Sequence, residues 1–251
     1  MAVAFLVLSL DASSAQAWPG ELSQRIAKDA LRLLPLSLAE LFRAHEKEIF
    51  SEARVAASPA LSLVYRDIPK GQLGVPARAA LAQEVAARVK ALHGDDFRGA
   101  VIALGALYRI AVDLPDPAIN AALGTDSKTR AIRREFYLFV EASRDKIPVV
   151  LVQPDALRLK LEAAPDYLAG VLSGTQAQAT VLREEAQEGG RVLPYTEIDY
   201  RSPVFAVAST AYSRSVSAVA ALWIAVWRSA GGDMQRQKPP RLIDPSPHDL
   251  N

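Results

Sequence analysis

The chain has 251 residues, half of them hydrophobic, with 29 Lys and Arg against 28 Asp and Glu for a net charge of +1. That length and apolar content suffice for a sizeable core and exclude a disordered chain, and the near balance of charge excludes a basic nucleic-acid binder. Cysteine is absent, which excludes disulfides and thiolate metal sites, and histidine occurs only at His45, His93 and His248.

From the start, Met1 to Leu10 is an apolar run, and Ala15-Gln16-Ala17 is a small-residue cleavage signature directly before Trp18. Residues 1–17 therefore read as an export signal, although no Lys or Arg precedes the apolar run, and the mature chain is expected in the periplasm or outside the cell. Residues 18–34 place Leu22, Ile26, Ala30 and Leu33 on one face and Arg25, Lys28, Asp29 and Arg32 opposite, an amphipathic helix. Leu38 to Phe50 is expected to form a second helix, with His45 a packed or boundary residue on its apolar stripe. Residues 66–76, broken by Pro and Gly, read as a loop containing Asp67. Ala77 to Leu92 is a third helix, closed by His93 with Gly94 at its C-cap, and Asp95 or Asp96 caps the next.

That next helix, from Phe97 to Asp113, carries Phe97, Val101, Leu104, Tyr108 and Val112 on one face. Gly99 and Gly105 are expected to admit neighbouring helices closely, and Pro115 and Pro117 stop it. After a loop, Asp126 or Ser127 caps a helix from Lys128 to Ser143 with Ile132, Phe136, Phe139 and Val140 inward. Its first turns bear Lys128, Arg130, Arg133 and Arg134, a solvated basic face or an anion-binding one. The β-branched run before Pro154 is an extended segment or a helix entry, followed by helices at about 155–163, 165–173 and 175–188 and a break at Gly189-Gly190. Ser202 to Arg228 is a long buried helix with a ridge at Ser209, Ser213 and Ser217, and Arg214 argues against a membrane span. The chain from Gly231 reads as a disordered tail. Apolar spacing of three and four throughout, in an Ala- and Leu-rich chain, predicts an all-α multi-helix bundle in one domain over 18–230.

Several of these segments resemble the zinc-dependent phospholipase C and S1/P1 nuclease superfamily. Trp18, Ile26, Ala27, Ala30, Leu31, Leu34 and Pro35 match its opening helix, with Ser23 at a ligand-histidine position. Asp113, Leu114 and Pro117 match its central helix, where Arg109 stands at the histidine four residues before the aspartate. Pro59 matches a turn whose metal-bridging aspartate is here Ala60, with Asp67 the nearest carboxylate. Glu135 matches the acid of a further ligand pair whose histidine is here Ala131.

The resemblance implies the helical bundle and, in relatives that keep their histidines, metal-dependent cleavage of phosphoric esters. Zinc favours imidazole, so the loss of those positions implies a chain without the zinc centre and without catalysis. It would use the former cleft, at Trp18, Ser23, Arg109, Asp113 and Glu135, for a ligand or a partner. Arg109 with Arg133 and Arg134 favours an anionic ligand, and Arg109 and Asp113 are expected to form an i, i+4 ion pair in place of the metal link. No cofactor and no nucleic acid are expected in that case. The alternative is a residual hydrolase holding one ion through Trp18, Asp113, Glu135 and Asp67, a carboxylate-rich set suited to Mg²⁺, Ca²⁺ or Mn²⁺ more than Zn²⁺. A scaffold with no small-molecule site is the third reading.

Overall fold

A computed structural model describes residues 18–51, 59–151 and 154–235. The export signal over 1–17, His248 and most of the expected tail lie outside the described residues. The described chain is helical apart from turns and one two-stranded hairpin, in agreement with the all-α reading.

Helix α1 (Gly20–Ala30) is amphipathic as its sequence dictates and continues into a 3-10 turn at Leu31–Leu33. The expected second helix is two, α2 (Leu36–Ala44) and α3 (Glu46–Ile49), because His45 leaves the helical region with φ −114°. His45 is thus a boundary residue, its Nδ1 2.8 Å from Glu48 Oε2. Where the resemblance places a turn at Pro59 and the loop was expected to start at residue 66, a helix forms instead, α4 (Pro59–Asp67). Pro59 stands at its first position, where the missing N–H costs nothing. Helix α5 (Val75–Leu92) follows, and Asp96 caps α6 (Phe97–Ala106) by accepting from Gly99 N at 2.8 Å.

The expected single helix over 97–113 breaks at Leu107 into α6 and α7 (Tyr108–Asp113). At the break the Trp223 indole N–H lies 3.0 Å from the Leu104 carbonyl, which also accepts from Leu107 N at 3.1 Å, and 3.2 Å from that of Gly105, so the carbonyls at the break have an indole donor beside them. Gly105 admits α3 as expected, since a Cβ there would come within 2.7 Å of Ile49. The space beside Gly99 is instead filled by the capping carboxylate of Asp96.

Asp126 accepts from Thr129 N at 2.7 Å and starts α8 (Ser127–Ser143). The helix expected at 155–163 is replaced by two 3-10 turns, Pro154–Arg158 and Leu161–Ala163. Helices α9 (Ala164–Ser173) and α10 (Thr175–Glu185) follow, and the Gly189-Gly190 break is the turn of a hairpin of β1 (Gln187–Glu188) and β2 (Arg191–Val192). Both glycines have positive φ, 56° and 83°, which side chains resist.

Helix α11 (Pro203–Ser229) is the axis of the molecule, packed against α1, α5, α6, α7, α8, α9 and α10. Every residue from Ser215 to Trp227 is buried, which explains apolar residues all round the helix instead of along one stripe. Among the described residues no helix is long and apolar enough to cross a membrane. The serine ridge of α11 receives an extended segment: Ser213 Oγ donates to Pro148 O at 3.0 Å and accepts from Val150 N at 3.2 Å. Residues 231–235, assigned to the disordered tail, return to the fold. Leu36 N donates to Gln235 O at 2.8 Å, and the Trp227 indole donates to Asp233 O at 3.0 Å.

Candidate functional site

The last carbonyls of a helix have no partner within it. Helix α7 ends at Asp113, and its Val112 carbonyl accepts from the Trp18 indole at 3.1 Å and from Ser215 Oγ at 3.2 Å. Those bonds fasten the chain before α1 and the axis of α11 to the end of α7. Trp18 is fully buried, its ring centroid 6.0 Å from Phe136 and 5.8 Å from Tyr137. It is a packing aromatic with a satisfied N–H.

Arg109 and Asp113 share α7, yet the expected ion pair between them is absent. Arg109 Nη1 donates to Ser23 Oγ at 3.1 Å, and the guanidinium acts on Asp113 through space alone. The break at Leu107 leaves α7 short, and Ser23 on α1 lies closer to the arginine than the carboxylate one turn on. Ser23 Oγ passes its own proton to Gly20 O at 2.9 Å. Tyr108 lies beneath the guanidinium, 5.9 Å from its carbon, with a hydroxyl that engages both Arg109 and Ser23.

Asp113 is buried and its carboxyl is bonded by the Tyr65 hydroxyl from α4. Burial pushes its pKa up to about 8; Arg109 opposes that shift and Asp116 adds to it. Removing a carboxylate from water without a cation in contact favours the protonated form. Asp116, three residues on, is also buried, and its pKa is pushed up to about 7. It accepts from Tyr137 Oη and from Ala118 N, each at 2.8 Å. Arg133 does not reach it as an ion-pair partner; its Nε donates to Ala118 O at 2.7 Å.

Glu135 does not join this group. Its Oε2 accepts from Tyr195 N at 3.0 Å, and its Oε1 takes Arg134 Nε at 3.0 Å and Nη2 at 2.6 Å. Burial works against its charge, but those donors outweigh burial and hold the pKa below the ordinary glutamate range. The basic run of α8 is accordingly divided: Arg133 ties a loop, Arg134 pairs with Glu135, and Lys128 and Arg130 are exposed.

The carboxylate-rich metal set is not assembled. Asp67 accepts from Lys70 Nζ at 2.8 Å and from Gly74 N at 3.0 Å, closing the loop into α5, and Glu135 is held as described. Among the described residues no three His, Asp or Glu side chains gather closely enough to hold a metal ion. His93 closes α5 as expected. Ala60 is helical and its side chain lies outside the described residues.

The cluster therefore consists of Ser23, Tyr65, Tyr108, Arg109, Asp113, Asp116 and Tyr137. Three of these were in the expected set. Asp116 was legible as a second acid one turn beyond Asp113, between two prolines. Tyr65 had no sequence signal, lying between the turn implied near Pro59 and the loop expected from residue 66. Chemically the group offers one cation, hydroxyl donors and two buried carboxyls whose pKa values burial raises. A scan of family models, a search of curated proteins and a search of solved structures each returned no match to this chain.

Proposed function

We propose that this chain is an exported, non-catalytic relative of the zinc-dependent phospholipase C and P1 nuclease superfamily that binds an anionic ligand at Arg109. The observation that carries the reading is an arginine that keeps its charge for something else. It is half-buried, hydrogen-bonded to a neutral serine, and forms no ion pair among the described residues. Buried or half-buried cations are ordinarily paired, so an unpaired one beside hydroxyl donors suits an oxyanion. Ser23 and Asp113 flank that place, and the small-residue signature before Trp18 supports export.

Calorimetric titration with inorganic phosphate at pH 6 tests the reading. Saturable binding is expected, weakened about tenfold or more by Arg109→Gln, the cost of a charge-assisted hydrogen bond. Failure of phosphate to bind would overturn the proposal. So would EDTA-sensitive hydrolysis of a phosphodiester together with stoichiometric metal in the purified protein.

A further inference from the structure

We propose that residues 231–235 are a strap that latches α2 onto the end of α11, and that strap and helix open together ahead of the rest of the fold. Helix α2 starts at Leu36 with Pro35 at its N-cap, and proline has no side-chain acceptor for the first N–H groups of a helix. The acceptors come instead from the far end of the described chain. Gln235 O accepts from Leu36 N at 2.8 Å, and Asp233 O accepts from Ser37 Oγ at 3.2 Å.

The sequence after α11 is built to make that return. Gly231 has φ 74° and its N–H donates to Arg228 O at 3.0 Å, while Gly232 N donates to Trp227 O at 2.9 Å, the paired bonds of a Schellman turn. Gly232 then lies so close to the Trp227 indole that a Cβ would fall into the ring. The same indole donates to Asp233 O at 3.0 Å, so one carbonyl joins α11, through Trp227, to α2, through Ser37. Asp233 Oδ1 accepts from Gln235 N at 2.9 Å, an Asx-type bend that aims the Gln235 carbonyl at Leu36.

Helix α2 has a narrow footing of its own. Leu38, Ala39 and Phe42 are buried, whereas Leu36, Glu40, Arg43 and Ala44 are exposed. Phe42 meets Trp223 edge to face at 4.7 Å, and Trp223 stands one turn before Trp227 on α11. Strap and helix thus rest on neighbouring tryptophans of one α11 face. A segment with few buried side chains opens before the global transition, and here the two segments share their fastenings. The bonds from Trp223 to Leu104 and Gly105 involve neither segment, so the break between α6 and α7 stays when the latch opens.

Hydrogen exchange followed by NMR on the full chain tests this, with circular dichroism confirming the fold of each variant. Amides over residues 36–44 are expected to exchange faster than those over 215–227. The full-length Gly232→Ala variant and a chain ending at Ala230 should each speed exchange over 36–44 by about fivefold or more, the effect of losing an N-cap, with 215–227 little changed. A chain ending at Gln235 should match the full chain. Phe42→Leu should in turn speed exchange of the Gly232 and Gln235 amides. Unchanged exchange over 36–44 in Gly232→Ala would overturn the latch even if the shorter chain fails to fold. Equal acceleration in the chain ending at Gln235 would also overturn it, by assigning the effect to residues beyond the strap. Exchange over 36–44 as slow as that over 215–227, or strap amides indifferent to Phe42→Leu, would overturn the joint opening.

Discussion

Asp113 and Glu135 are two acids that a sequence pattern pairs with a missing histidine, and they are buried to nearly the same degree, 6 % and 8 % exposed. Their surroundings push them in opposite directions. Glu135 receives a backbone N–H and both arms of an arginine, so its charge is stabilised despite burial. Asp113 receives one tyrosine hydroxyl, while the arginine on its own helix turns to a serine. At Glu135 the donors outweigh burial, and at Asp113 burial outweighs a single hydroxyl and a cation not in contact.

The largest break in this comparison is expected from Trp18→Ala. It would empty a fully buried site and leave the Val112 carbonyl with Ser215 alone, at a cost of about 3–5 kcal/mol in urea unfolding. The Glu135 side, fastened by Arg134 and Tyr195, has no such single support.

Next comes the pH dependence of stability. Asp113 and Asp116 have folded pKa values raised to about 8 and about 7. Their contribution is fully present below the unfolded value of about 4 and is lost as pH rises through the folded values, with a slope of up to roughly 1.4 kcal/mol per pH unit for each. Melting temperature should accordingly fall from pH 5 to pH 8, and Asp113→Asn should flatten part of that decline. Glu135 has the opposite sign: its stabilisation is present at neutral pH and lost as pH falls below the ordinary glutamate range. A chain most stable in mildly acidic solution would carry both signatures.

Smaller effects sharpen the contrast. Glu135→Gln keeps an acceptor for Tyr195 N but gives up the charge, and should cost about 1 kcal/mol at pH 7, vanishing toward pH 3. Arg134→Ala should cost no more than about 0.5 kcal/mol in the same unfolding experiment, since Arg134 is 72 % exposed and its pair is screened. An Arg134 effect larger than that of Glu135 would show that the backbone N–H is not the main support of the carboxylate.

Periodicity alone determined most of the helices, because a 3.6-residue pattern and its caps are local: Asp96, Asp126 and the Gly189-Gly190 turn were readable from neighbours a few residues away. The helical class was readable for the same reason, as was the burial of α11 on all sides. Tertiary contacts decided the rest. The break at Leu107 is stabilised by Trp223, more than a hundred residues on; residues 231–235 are tied down by α2; and Tyr65 is brought to Asp113 by a helix that no sequence pattern announced. At the site, the sequence placed Arg109 and Asp113 one turn apart but could not say which partner the guanidinium would choose. That choice depends on how closely α1 approaches α7, a distance set by packing across the fold and written in no short stretch of chain.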